Sequence, residues 1–227
     1  MLKKTDLGKC KKLLDSGLSL VCIGDKKIPN FPWKIRQTEA YTKEQFEKDW
    51  SYAGGIIKKD GSEIPATGGV GIVTGYNGIE VFDIDLKIFV SLKEQQDFWN
   101  EYVKFLSDNI NDFEDKFVIY KTVNNGYHII YRCAKIGGNE KVAKLKGHNE
   151  AIIETRGIGG YVFIYENQVS KKSYYEIQEI SELDRDVLFS VSRFYNYIEE
   201  KDQVIPEAQK KINQPEIEVP TWVDYNN

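Results

Sequence analysis

The chain has 227 residues, of which 41% are apolar, and a formal net charge of −4. Its longest apolar run, LSLVCIG, is far shorter than the roughly 18 residues that a membrane span needs, and the first residues lack an apolar signal core. We therefore expect a globular protein of the host cytoplasm without a membrane partner. The three cysteines are scattered and the two histidines are too few for a multi-histidine centre, so any metal should be held mainly by oxygen.

Charge is distributed unevenly along the chain. Residues 61–115 have a large acidic excess, whereas residues 1–60 and 116–160 are basic. Such basic segments can hold an anionic polymer or a polyphosphate beside an acidic site in spite of the negative net charge. The composition is therefore compatible with a nucleic-acid partner.

The first half of the chain predicts three helices and three strands. Gly17 ends the first helix. Thr42 and Gln45 form a capping-box signature at the start of the second helix, and Ser91 and Glu94 form another at the start of the third. In chain order, the predicted elements are a helix at 3–16, a strand at 18–23, a helix from 43 to about 50, strands at 70–74 and 79–85 joined by a TGYNG turn, and a helix at 92–109.

The second half is rich in predicted strands and ends in a helix and a polar tail. The strands are expected at 117–122, 127–133, 151–156 and 160–165, with a VNNG hairpin turn after the first and a helix at 181–200 after the last. The tail contains three prolines and few large apolar residues, which is typical of a linker. The predicted organisation is one domain at 1–202, divided into an α/β part at 1–115 and a strand-rich part at 116–202, followed by a tail at 203–227.

Two acids share one face of the strand predicted from GIEVFDIDLK. Because strand side chains alternate in direction, Asp83 and Asp85 should point to the same side. The apolar Phe82, Ile84 and Leu86 should point to the other side, into a core. Two like charges this close repel each other and normally need a cation beside them. The pair indicates a divalent-metal site, with two solvated acids on an exposed strand face as the alternative.

A histidine follows a polar turn in KTVNNGYHIIYR. His128 should share a strand face with Ile130 and Arg132. The turn before it supplies Lys121, the amide side chains of Asn124 and Asn125 and an exposed glycine backbone, all of which can bind phosphate oxygens. The segment therefore predicts contact with an anionic ligand, although a lone strand histidine can also be purely structural.

A third acid lies in AIIETRGIGGYVF. Glu154 should share a strand face with Ile152 and Arg156, and glycines follow at once. By itself this pattern is also explained by an ion pair between the glutamate and a neighbouring base. Together, the three segments predict a three-carboxylate metal site with a phosphate cradle, built on successive strands.

The order of GVGIVTGYNGIEVFDIDLK, KTVNNGYHIIYR and IIETRGIGGYVF resembles the three motifs of the archaeo-eukaryotic primase superfamily, in its primase-polymerase branch of phages and plasmids. The upstream KKIPNFPWK is similar to the Lys-x-Pro segment of that branch, so the likeness covers residues 20–170. It implies an α+β fold in which an RRM-like palm with an antiparallel sheet is fused to an N-terminal α/β module. The chain departs from the family where many members have a serine before the histidine of the second motif.

The resemblance also implies roles for individual residues. Asp83 and Asp85 match the acidic pair of the first motif, and Glu154 matches the acid of the third, which is usually Asp. These three are the expected ligands of two Mg²⁺ or Mn²⁺ ions, which such a reaction uses to activate a 3′-hydroxyl and to offset the charge of a triphosphate. His128 matches the second-motif histidine and counts with the acids as catalytic.

The residues expected to bind the incoming nucleotide are His128, Lys121, Asn125 and Arg156. The expected function is that of a template-dependent DNA primase or polymerase in the replication of a phage or mobile element. Its expected partners are single-stranded or primed DNA, dNTPs or NTPs, and a helicase domain or protein. Two alternatives stay open at this point, a metal-dependent nuclease and a non-catalytic nucleic-acid-binding module. A nicking enzyme with paired metal-binding histidines is a weaker alternative, because only His148 is left to pair with His128.

Overall fold

The computed structural model describes residues 6–24, 27–51, 56–57, 63–64 and 69–197. The chain divides into two units, Met1–Asn196 and Tyr197–Asn227, and the first contains all the helices and strands described. The tail predicted at 203–227 lies outside the described residues. So do residues 3–5 and 198–200, the ends of the predicted first and last helices.

The described helices and strands alternate along the chain in a mixed pattern. The helices are α1 (Leu7–Asp15), α2 (Lys43–Ser51), α3 (Leu92–Asn109), α4 (Phe113–Lys116) and α5 (Glu182–Phe194). The strands are β1 (Leu20–Ile23), β2 (Ile56–Ile57), β3 (Glu63–Ile64), β4 (Gly69–Val73), β5 (Ile79–Ile84), β6 (Val118–Lys121), β7 (Tyr127–Arg132), β8 (Glu140–Lys144), β9 (Ala151–Arg156), β10 (Tyr161–Phe163) and β11 (Asn167–Gln168). Among the helices of the described segments, none is long and apolar enough to cross a membrane.

Two antiparallel sheets organise the molecule. The larger has the strand order β11-β6-β7-β5-β9-β8 and the smaller β1-β4-β10, while β2 and β3 pair with each other. The fold is therefore α+β, as predicted. The succession β5-α3-α4-β6-β7 follows the first four elements of a βαββαβ unit, with the short helix α4 added after α3, but the next element is the edge strand β8 instead of a second helix.

The larger sheet is covered on both faces, and strand periodicity explains how. Phe82 and Ile84 of β5 lie in a core that includes residues of α3 and α5. Val81, the neighbour of Phe82, points to the opposite face and lies with Ile130 of β7 in a second core, which includes residues of β1 and β4. Because successive side chains point to opposite faces, one apolar strand contributes to both cores. The face of Val81 is also the face of Asp83.

Both predicted capping boxes are present. The backbone N–H of Glu94 donates to Ser91 Oγ at 3.1 Å, and Glu94 Oε2 accepts from the N–H of Ser91 at 3.0 Å. Thr42 and Gln45 exchange the corresponding bonds at 3.2 Å. Each box satisfies N–H groups that the first turn of a helix leaves without partners.

The structure adds strands and a sheet arrangement that the sequence did not predict. The strands β4 and β5, predicted to be joined by a turn, belong to different sheets. Gly78 has a φ of 69°, and a Cβ on it would lie 2.5 Å from the carbonyl oxygen of Cys133, so the chain turns here against β7. The two-residue strands β2, β3 and β11 and the longer strand β8 were not predicted. In β8 only Val142 and Ala143 of the five residues are buried, so its alternation is weak.

Candidate functional site

Three predicted site residues lie side by side across the larger sheet. Asp83 on β5 is directly opposite His128 on β7 and directly opposite Glu154 on β9. The row extends to Tyr120 on β6 and to Lys141 on β8. Directly opposed residues of antiparallel strands share a face, with Cβ atoms about 4.5–5.5 Å apart. Segments that are distant in sequence therefore form one continuous polar row.

The second acid of the pair follows immediately after β5. The backbone N–H of Asp85 donates to the carbonyl of Ile152 at 2.9 Å, which extends the pairing of β5 with β9. Its carboxylate is 3.0 Å from Lys87 Nζ, and the same ammonium group is 2.7 Å from Glu150. The contacts with both carboxylates raise the pKa of Lys87, so Asp85 lies beside a fixed positive charge.

A guanidinium group lies between the other two acids. Arg156 Nη2 is 2.6 Å from Glu154 Oε2, and its Nε is 3.9 Å from Asp83 Oδ2. Burial raises the pKa of the Asp83 carboxyl, Arg156 opposes that shift and Asp85 adds to it. In the part of the chain described, no three His, Cys, Asp or Glu side chains converge closely enough to hold a metal ion as they stand. The carboxylates are instead paired with basic side chains.

The histidine of the row is buried and neutral. Burial lowers the pKa of His128 to about 3, and the positive charges of Lys27 and Arg156 contribute to the shift. Its Nε2 is 3.6 Å from Asp83 Oδ1, which is beyond hydrogen-bond length and, for a neutral ring, is not an ion pair. Its Nδ1 is buried without a hydrogen-bond partner among the described residues. A buried ring nitrogen of this kind is available to a ligand.

The row borders a cleft of about 430 Å³. The sequence did not identify Lys27 and Thr122 as lining residues, whereas Asn124 belongs to the turn predicted to bind phosphate oxygens. Lys27 Nζ donates to the hydroxyl of Tyr165 at 2.9 Å, and the Tyr161 hydroxyl donates to the Lys27 carbonyl at 3.0 Å. The segment KKIPNFPWK, which is part of the family resemblance, is the signal that could have identified Lys27.

The structure brings only part of the predicted nucleotide-binding set to this cleft. His128 and Arg156 line it, whereas Lys121 and Asn125 line a separate depression of about 240 Å³ together with Tyr127. Lys121 is paired with Tyr127 in the hairpin, one position out of phase with His128. Its side chain therefore points to the opposite face of the sheet.

The hairpin turn is held tightly against the end of β5. Thr122 donates its backbone N–H to the carbonyl of Gly126 at 2.8 Å. A Cβ on Gly126 would lie 2.3 Å from the carbonyl oxygen of Ile84, so only glycine allows this approach. The turn thereby places Thr122 and Asn124 at the cleft, beside Asp83.

The site combines oxygen ligands with phosphate-binding groups. Carboxylates on one face suit Mg²⁺ or Mn²⁺, and a neutral buried imidazole beside fixed cations suits the oxygens of a phosphate chain. This combination can serve reactions at phosphorus, in which a metal-bound polyphosphate is attacked or transferred. Comparison of the chain with protein-family models and with curated proteins finds no match.

Proposed function

We propose that the chain is a template-dependent DNA primase or polymerase, which forms phosphodiester bonds from dNTPs or NTPs during replication of a phage or mobile element. The observation that carries the proposal is the row of His128, Asp83 and Glu154 across three neighbouring strands, bordering a cleft that also contains Lys27. Nucleotidyl transfer needs acids for metal binding next to groups that hold a triphosphate. The row and the cleft supply both.

The metal ligands in this proposal are Asp83, Asp85 and Glu154, and their chemistry fits the ions. Mg²⁺ and Mn²⁺ prefer carboxylate oxygens, and all three side chains line one depression. Burial raises the pKa of Asp83, so its ionised form gains from additional positive charge. Two bound divalent ions would supply activation of the 3′-hydroxyl and neutralisation of the triphosphate.

The nucleotide-binding groups in this proposal come from four segments of the chain. Arg156, released from the acids, contacts the triphosphate through its planar guanidinium group. The neutral ring of His128 donates a hydrogen bond to a phosphate oxygen from one of its nitrogens. Lys27 adds a second cation at the cleft wall, and Thr122 and Asn124 add neutral donors from the turn.

An incorporation assay tests the proposal. A primed DNA template is offered with labelled dNTPs or NTPs, with Mg²⁺, with Mn²⁺ and without a divalent metal. The wild-type chain should add nucleotides complementary to the template, and Asp83→Asn should reduce the rate by several orders of magnitude because a metal ligand is lost. Absence of extension with either metal would refute the proposal.

The same samples distinguish the alternatives. Metal-dependent cleavage of the DNA, in place of extension, would identify a nuclease, which also needs carboxylates. DNA binding without either reaction, and without metal-dependent dNTP binding, would identify a binding module. The structure contains the cleft with Lys27, Asn124 and His128 next to the acids, and this feature favours nucleotide transfer because hydrolysis of DNA needs no triphosphate site.

A further inference from the structure

A second depression, of about 270 Å³, adjoins the acids of the row. Asp83, Asp85 and Arg156 are the described residues that line both this depression and the cleft. The two acids therefore separate two spaces that are both open to a ligand. A reaction that joins two substrates requires such an arrangement, because both reacting groups must reach the same metal ions in a fixed orientation.

The two spaces differ in the chemistry of their walls. Tyr161, which is half-buried, lines the cleft and offers an aromatic ring on which a base can stack. Among the described residues, the lining of the second depression contains no aromatic side chain and is almost entirely charged. Its cations are Lys87, Lys141 and Arg156. Its acids are Asp83, Asp85, Glu150 and Glu154. The cleft thus suits a complete nucleotide, and the second depression suits a sugar-phosphate end once divalent ions offset the charge of its acids.

Lys141 is the cation of the second depression that has no acidic partner among the described residues. It lies on β8 directly opposite Glu154, but that carboxylate is paired with Arg156 at 2.6 Å. Lys87, in contrast, is held by Asp85 at 3.0 Å. Lys141 is also exposed, at the edge of the sheet. An exposed lysine without a partner is available to a phosphate from outside the protein.

We propose that the second depression binds the 3′ end of the priming strand, and that Lys141 contacts a backbone phosphate close to the terminal nucleotide. This inference rests on the proposed function, and it assigns the triphosphate to the cleft and the strand end to the other side of Asp83 and Asp85. The oxygen of the 3′-hydroxyl attacks the α-phosphorus of the nucleotide. The new P–O bond forms, the bond to the bridging oxygen of the β-phosphate breaks, pyrophosphate leaves, and the hydroxyl proton passes to water.

Binding measurements without turnover test the assignment. The full chain is titrated, in Mg²⁺ and without nucleotide, into a fluorescent primed template with a recessed 3′ end, and the affinity is measured by anisotropy over a series of salt concentrations. Lys141→Ala should weaken binding roughly five-fold at low salt and reduce the slope of log affinity on log salt by about 1, because one phosphate contact is lost. Lys141→Glu should weaken it further.

Three comparisons show whether the effect belongs to the strand end. Lys135→Ala, which removes an exposed lysine that lines neither space, should leave the affinity unchanged. The KM for primed template should rise in Lys141→Ala while the KM for dNTP stays constant, and Lys27→Ala should show the reverse pattern. The unprimed template strand should bind wild type and Lys141→Ala equally.

Equal affinity of wild type and Lys141→Glu for the primed template would overturn the inference. An equal loss on the unprimed strand would also overturn it, because Lys141 would then be a general DNA contact. Failure of the wild-type chain to incorporate nucleotides is a separate outcome, which would refute the proposed function itself.

Discussion

A buried ion pair on the far face of β5 gives the sharpest test of the fold that supports the site. Glu80, three residues before Asp83, is fully buried, and its carboxylate accepts from Arg185 of α5 at 2.6 and 3.0 Å. The hydroxyl of Tyr131 and the backbone N–H of Gly137 also donate to it. We predict that Arg185→Met strongly destabilises the folded chain, because it leaves a buried carboxylate without its counter-ion.

The magnitude follows from the burial of both partners. The side chain of Arg185 is 15% exposed and that of Glu80 is 0% exposed, so solvent screens the pair little. Removing one partner of such a pair costs about 3–5 kcal/mol, and the two remaining donors to Glu80 place the expected loss at about 3 kcal/mol. For a chain of this size, that loss lowers the melting temperature by about 6–12 °C.

Urea unfolding followed by tryptophan fluorescence measures the loss. Arg193→Met is the matched control, since Arg193 also lies over the ring of Phe189 but its ion pair with Glu140 is exposed. The control should cost less than about 1 kcal/mol. Glu80→Gln combined with Arg185→Met should recover part of the loss, because the amide keeps an acceptor without a charge. A double variant no more stable than Arg185→Met, or a loss no larger than in the control, would refute the reasoning.

Four further predictions concern the site and the core. Asp83→Asn should raise the melting temperature at neutral pH, because burial raises the pKa of this carboxyl and the folded state therefore disfavours its ionised form; a lower melting temperature in calorimetry would contradict this. Burial lowers the pKa of His128 from 6.5 to about 3, so the unfolded chain binds this proton more readily and stability is lost as the pH falls below 6.5. Between pH 6.5 and 5 the loss should reach about 1.6 kcal/mol and should be smaller in His128→Gln, as urea unfolding at each pH would show. Ser91→Ala should cost about 1 kcal/mol in the same unfolding assay, whereas its control Ser107→Ala, on the exposed face of α3, should cost almost nothing. The three cysteines, Cys10, Cys22 and Cys133, are free and buried, and burial raises the pKa of Cys10 and Cys22 to about 12. A thiol reagent at pH 8 should therefore modify the chain only after denaturation. Rapid labelling of the native chain would show that the structure opens around these cysteines.

Local patterns in the sequence were sufficient for the four longer helices, for most strands and for the faces of individual strands, whereas the short helix α4 was not predicted. The capping boxes at Thr42 and Ser91 were predictable because their partners lie only three residues away. The common face of Asp83 and Asp85, opposite Phe82 and Ile84, follows from the period of two in a strand. The same rule explains why Lys121 lies apart from the cleft, since a residue paired with Tyr127 cannot share the face of His128.

Contacts between distant segments were decided only by the tertiary structure. The register of β7, β5 and β9 places His128 and Glu154 on either side of Asp83, and no local pattern determines which strands become neighbours. The charged side chains of the site also find their partners in distant parts of the sequence. Arg156 lies beside Asp83 because β9 pairs with β5. Lys27 reaches the cleft because the smaller sheet packs beside the polar row of the larger sheet. Side-chain periodicity is a property of a single strand, whereas register and sheet order result from the packing of the whole core.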